Sequence, residues 1–221
     1  MLAYDQFVPE HVAEGAPLIV LMHGRGSDKG DLMGLQPALP PDAIVVAPRA
    51  PFPGAPWGYG EGWAWYRFLG GSTPEPASFE AGQAAIDAFL DELPGRLPVR
   101  TGVLFLGGFS QGGTAALGYA LRHPGRVKGL LLFSGFLPSH AAVAATAETV
   151  AGTRFFWGHG TADPMIPFEL ARQGRAALAA AGADLTTGDY PIGHTIAPRE
   201  LADAVAWLAD VGAATPARAA R

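Results

Sequence analysis

The chain has 221 residues, 49% of them hydrophobic and 16% charged, which suits one α/β domain with a large buried core. Its formal net charge is −5, and Lys29 and Lys128 are its only lysines, so there is no basic footprint for nucleic acid. It contains no cysteine, which excludes disulfides, thiolate metal sites and a cysteine nucleophile.

Residues 1–12, MLAYDQFVPEHV, lack a basic segment followed by an apolar run, so no signal peptide is expected. No apolar stretch approaches the roughly 20 residues that span a bilayer. The expectation is a soluble, cytoplasmic protein, monomeric or homodimeric.

The first apolar run, Leu18–Met22 (LIVLM), ends at His23-Gly24. Others follow at 43–47, 103–106, 127–133 and 154–157, and a more polar one, Asp184–Tyr190, suits an edge. Runs apolar on both faces predict strands buried between two helix layers, as in parallel sheets. Helical spacing falls between them, at 79–93, Gln111–Arg122, 168–181 and 198–210. This alternation predicts a three-layer α/β fold with right-handed crossovers. The segment 51–79 breaks the pattern with Gly, Pro and aromatic residues; a long ordered loop of that kind is often functional. One domain is expected over 1–211, with 212–221 a frayed tail.

Between the third run and its helix stands Gly108-Phe109-Ser110-Gln111-Gly112, a G-x-S-x-G pattern. A sharp strand-to-helix turn strains its central residue and leaves no room for bulky flanking side chains. It lifts the serine oxygen to the carboxyl edge of the sheet, where open α/β sheets bind ligands, beside the positive end of a helix. The pentapeptide alone is weak; its placement between strand and helix carries the weight.

A serine hydroxyl needs a base, and in this topology an acid and then a histidine should follow it. Of six histidines, His194 is the last and stands in a loop between the final strand and helix. The acid should sit between the two. Asp163, in the Gly/Pro-framed turn His159-Gly160-Thr161-Ala162-Asp163-Pro164, is preferred to Asp184 and Asp189; capping of its own turn is the alternative role. The backbone N–H groups of Gln111 and Arg25 are the candidate donors to a tetrahedral oxyanion. The Arg25 side chain is left for an acidic group on the substrate or for solvent, and His23 is expected to brace its loop. Trp57, Trp63, Trp65, Tyr66 and Phe68 either line an apolar acyl or aryl pocket or pack the excursion onto the body; Phe136, Leu137 and Ile166 are further wall candidates.

Two other classes compete. Gly24–Gly30 imitates a glycine-rich dinucleotide loop, with Arg49 placed to meet a 2′-phosphate, which would make an NADP oxidoreductase. Against it, Lys29 stands where the fingerprint wants Gly or Ala, and Pro37, Pro40 and Pro41 crowd the following helix. A non-catalytic hydrolase-like binding protein would normally have lost a triad member, and none is lost here.

The stretches LMHGRGSDKGDL, APRAP, GFSQGG, HGTADPMIP and GHTIAPREL, in that order, resemble the small carboxylesterase/phospholipase branch of the α/β-hydrolases, the group that includes acyl-protein thioesterases. The resemblance implies Ser110, Asp163 and His194 as a triad in a compact fold without a cap domain, needing no metal or cofactor. Three features depart from that pattern. The short N-terminal region leaves one or two antiparallel edge strands in doubt, Arg25 replaces an apolar residue, and 57–68 is unlike thioesterase loops. A small-ester carboxylesterase, with an apolar acyl or aryl group on its substrate, is therefore expected over a protein depalmitoylase.

Overall fold

The computed structural model describes residues 1–213. Its main sheet has seven strands: β1 Tyr4–Phe7, β2 Leu18–Met22, β3 Ile44–Pro48, β4 Leu104–Phe109, β5 Gly129–Phe133, β6 Arg154–Gly160 and β7 Asp184–Tyr190. They lie in the order β1-β3-β2-β4-β5-β6-β7; β1 is antiparallel to β3, and every other neighbouring pair is parallel. The helices are α1 Pro76–Glu92, α2 Gln111–Arg122, α3 Phe168–Ala180 and α4 Pro198–Ala213.

The uninterrupted apolar runs follow from a sheet covered on both faces. Side chains alternate across a strand. Leu18, Val20 and Met22 of β2 therefore join Leu106, Leu130 and Leu132 in the core beneath α1, α2 and α3. Ile19 and Leu21 join Val45, Phe105, Leu131 and Phe133 on the opposite face, against Trp207, Leu208 and Val211 of α4 and the 3-10 helix Leu32–Ala38. Each fully buried side chain of this size contributes about 1.5–3 kcal/mol. β7 carries exposed positions because it is the edge, as its polarity predicts.

Several boundaries move. β4 continues through Gly107 and Gly108 to Phe109, because parallel pairing with β2 and β5 holds these glycines in register. α1 begins at Pro76, where the Glu75 carboxylate accepts the Ser78 N–H at 2.8 Å and caps the first turn. Of the edge strands left in doubt, one forms: β1 pairs with β3 from Tyr4↔Pro48 to Phe7↔Val45. Gly212 and Ala213, expected in the tail, continue α4; residues 214–221 lie outside the described residues.

The connectivity fixes where a site can form. From β2 the chain moves to β3 on one side and then crosses to β4 on the other. Loops leaving the carboxyl ends of β2 and β4 consequently diverge, which opens a crevice at a topological switch point. The 51–75 excursion folds over this end as two short ribbons, Phe52–Pro53 with Trp63–Ala64 and Phe68–Gly70 with Thr73–Pro74. It is stitched to the loop after β2 by Gly26 N–H to Trp63 O and Trp63 N–H to Ser27 O, both 2.8 Å.

Candidate active site

Ser110 stands between β4 and α2 with φ 54° and ψ −118°, a conformation a non-glycine residue holds only when its surroundings impose it. The glycines provide the imposition. A Cβ on Gly108 would lie 2.5 Å from Met22 O, and one on Gly112 would lie 2.1 Å from the same oxygen and 2.4 Å from His23 O. Only bare backbone lets the elbow press this closely on the end of β2.

Two neighbours complete the constellation. His194 Nε2 lies 2.9 Å from Ser110 Oγ, and His194 Nδ1 lies 2.7 Å from Asp163 Oδ2. The imidazole rests on the Phe109 ring at 4.7 Å between centroids. The Asp163 side chain is fully buried, and its two oxygens divide the work. Oδ1 accepts the N–H groups of Met165 and Ile166 at 2.8 and 2.9 Å, so it caps the turn, while Oδ2 faces the histidine. The two roles weighed for this residue are therefore held together. Asp184 and Asp189 pair instead with Arg154 and Arg175.

Two further histidines are structural supports. His23 Nδ1–H donates to Gly24 O at 2.7 Å, and its Nε2 accepts the Ala50 N–H at 3.0 Å. It braces the loop after β2, as expected. His159, fully buried, donates from Nε2 to Ile166 O at 2.9 Å and so holds the acid turn from behind. Burial lowers both imidazoles below the ordinary histidine value and favours their neutral forms.

Among the described residues, no hydrogen bond uses the backbone N–H of Arg25 or Gln111, which flank the crevice from the β2 and β4 sides. The Gln111 side chain has a role its sequence position did not announce. It accepts the Trp65 N–H at 2.8 Å and donates to Tyr66 O at 2.8 Å, fastening the excursion to the elbow.

The cavity at Ser110 measures about 170 Å³. Its wall includes the expected Tyr66, Phe68, Phe136 and Ile166, together with Phe109 and Met165, which were not foreseen. Phe109 is an unconstrained x of G-x-S-x-G, and Met165 follows the acid by two residues, so neither carries a periodic signal. Four wall candidates are corrected. Trp57 packs on Phe52 and Tyr59, with ring centroids 5.1 and 6.0 Å away. Trp63 lies beneath the Arg49 guanidinium at 4.8 Å. Trp65 is wholly buried and donates from Nε1 to His23 O at 2.9 Å. Leu137 lines a separate hollow of about 550 Å³ with His140 and Leu170; this larger space contains none of Ser110, Asp163 and His194. Trp63 and Trp65 anchor the excursion to the body, because large rings at a ribbon root are drawn into the nearest core, whereas Trp57 packs within the excursion itself.

The dinucleotide alternative loses its parts. The segment after the glycine loop is a seven-residue 3-10 helix containing Pro37. Arg49 is bound by Asp28 through Nε and Nη2 at 2.7 and 2.6 Å, and this pairing holds the Asp28 carboxyl below its ordinary range.

The sheet order, the strained serine at its switch point and the loops after β6 and β7 define an α/β-hydrolase fold. The chain belongs to the Phospholipase/Carboxylesterase family, which it matches over residues 4–211. It is 32% identical over 107 residues to carboxylesterase SOBER1 of Arabidopsis thaliana, a stretch covering 48% of this chain and 47% of that protein. It is also 32% identical over 114 residues to acyl-protein thioesterase 1 of Mycosarcoma maydis, covering 49% and 48%. The chain thus spans about half the length of the curated relatives it matches. Among solved structures, esterase PE8 is similar with a TM-score of 0.78 at 28% identity, covering 95% of this chain and 99% of that one. The Bacillus cereus carboxylesterase shares the fold with a TM-score of 0.82 at 20% identity, covering 96% and 95%.

Proposed function

We propose that this chain hydrolyses small carboxylic esters through an acyl-enzyme. Ser110 Oγ attacks the ester carbonyl as His194 Nε2 takes its proton, and His194 returns that proton to the departing alcohol. Asp163 accepts the Nδ1–H, fixes the tautomer and stabilises the imidazolium. The N–H groups of Arg25 and Gln111 receive the oxyanion. Water, deprotonated by the same histidine, then attacks the acyl-serine and releases the acid.

The single observation that carries this reading is the unbroken relay from Asp163 Oδ2 through His194 to Ser110 Oγ, at 2.7 and 2.9 Å. Family membership supports it independently. The cavity of about 170 Å³ is smaller than the roughly 300–1,000 Å³ of sites for drug-sized ligands, which favours short acyl groups over long-chain thioesters.

Fluorophosphonate labelling read by mass spectrometry tests the assignment. The expected result is one adduct on Ser110, with hydrolysis of p-nitrophenyl acetate abolished in step. An unlabelled protein that turns over no ester would leave the non-catalytic binding module as the better account.

A further inference from the structure

The catalytic cavity has one charged side chain on its wall, and nothing in the proposed reaction uses it. Gly24, Tyr66, Phe68, Phe109, Phe136, Met165 and Ile166 make most of the lining, and Arg25 stands at the exposed mouth beside Ser110. Its guanidinium lies over the Tyr59 ring at 4.6 Å and 5.7 Å from the Phe68 centroid. Among the described residues it makes no ion pair and donates no hydrogen bond, whereas Arg49, Arg122, Arg126, Arg154, Arg175 and Arg199 all meet carboxylates. The Tyr66 hydroxyl is buried on the same wall, near Thr114.

We propose that Arg25 is a specificity residue that selects esters bearing a carboxylate near the scissile bond. This rests on the esterase reading and names its substrate class. The planar fork of a guanidinium matches a carboxylate in two parallel hydrogen bonds. Aromatic rings on its flanks hold the fork and reduce its hydration, which strengthens the pairing. One guanidinium balances a monoanionic carboxylate but leaves a phosphomonoester dianion half neutralised. The net charge of −5 means that attraction of an anion here is local to Arg25 and not a property of the whole surface.

The carboxylate can reside on the acyl or the alcohol side, and paired substrates separate the two. On the acyl side, monomethyl glutarate is compared with its primary amide; on the alcohol side, 4-carboxyphenyl acetate is compared with 4-carbamoylphenyl acetate, all by pH-stat. The wild-type kcat/KM ratio of acid to amide should exceed one by roughly 10- to 100-fold on one side, carried mainly by KM. Arg25→Gln should bring that ratio near one, Arg25→Lys should retain part of it, and Arg67→Gln, on the 51–75 excursion and off the cavity wall, should retain it fully. In 1 M salt the wild-type ratio should shrink, because the pair is exposed at the cavity mouth; this reading decides the matter if Arg25→Gln fails to fold. A ratio near one on both sides, or a preference that survives Arg25→Gln, would overturn the inference while hydrolysis of p-nitrophenyl acetate kept the esterase reading intact. Refusal of p-nitrophenyl acetate as well would remove both.

Discussion

The elbow and the aromatic excursion meet at one cavity but are held by different forces. Around Ser110, backbone presses on backbone: β4, β2 and the first turn of α2 approach so closely that side chains at Gly108 or Gly112 would collide with carbonyl oxygens. The 51–75 excursion is attached by hydrogen bonds through Trp63, Trp65 and Gln111, and by the rings of Trp65, Tyr66 and Phe68 set on His23, Phe79 and Phe136. The residues of the proposed relay thus sit on the tightly pressed part, whereas Tyr66 and Phe68 of the cavity wall belong to the excursion. Reacting groups need fixed geometry to within about 0.5 Å, whereas a pocket wall tolerates repacking.

Substitutions can break that contrast, starting with the largest effect. Ser110→Ala should lower kcat on p-nitrophenyl acetate by on the order of 10⁴-fold or more with an unchanged melting curve, since only the nucleophile is removed. Near-wild-type turnover would dissolve the special status of the elbow. Asp163→Asn should cost about 10³- to 10⁴-fold in kcat, because the amide can no longer fix the Nδ1–H tautomer. Asp189→Asn, which loosens only a partly exposed pair with Arg175, should keep kcat within about twofold and lower stability by less than about 1 kcal/mol.

The frame behind the acid loop gives a pH test. Glu200 of α4 is fully buried, and a side chain on Gly158 of β6 would lie 2.1 Å from its Oε1. Burial raises its carboxyl from 4.5 to about 7. The folded protein therefore keeps a proton that the unfolded chain has released, and stability falls as pH rises from about 4.5 to about 7. Glu200→Gln, which cannot ionise, should remove that slope. Its advantage over wild type in urea melts should grow across this window to at most about 3 kcal/mol and stay level above it. A difference independent of pH would mean that folding does not raise the Glu200 carboxyl above its unfolded value.

A small effect on turnover is also expected from the excursion. Trp57→Ala removes a half-buried ring that packs on Phe52 and Tyr59 and is off the cavity wall, so kcat should stay within about twofold of wild type, measured alongside a modest drop in melting temperature. A large loss of kcat would show that the excursion shapes the reacting geometry and does not merely select substrates.

Local signals along the chain mark six strands from β2 onward, the four helices among them, the elbow and the candidates for the three residues that meet there. Apolar runs between helical repeats are local signals, and Gly108, Ser110 and Gly112 mark a turn whose sterics are local too. Their chain order, with Asp163 and His194 following Ser110, narrowed the partners. What lines the cavity depends on long-range packing. Trp57, Trp63 and Trp65 are read alike from composition as pocket or packing, and their destination depends on which core each ring can reach across the Ser27–Trp63 bridge. The same holds for β1, whose four residues become a strand only because β3 offers an open edge, and for Arg25, which among the described residues pairs with no carboxylate, a fact of three-dimensional spacing that no one-dimensional pattern records.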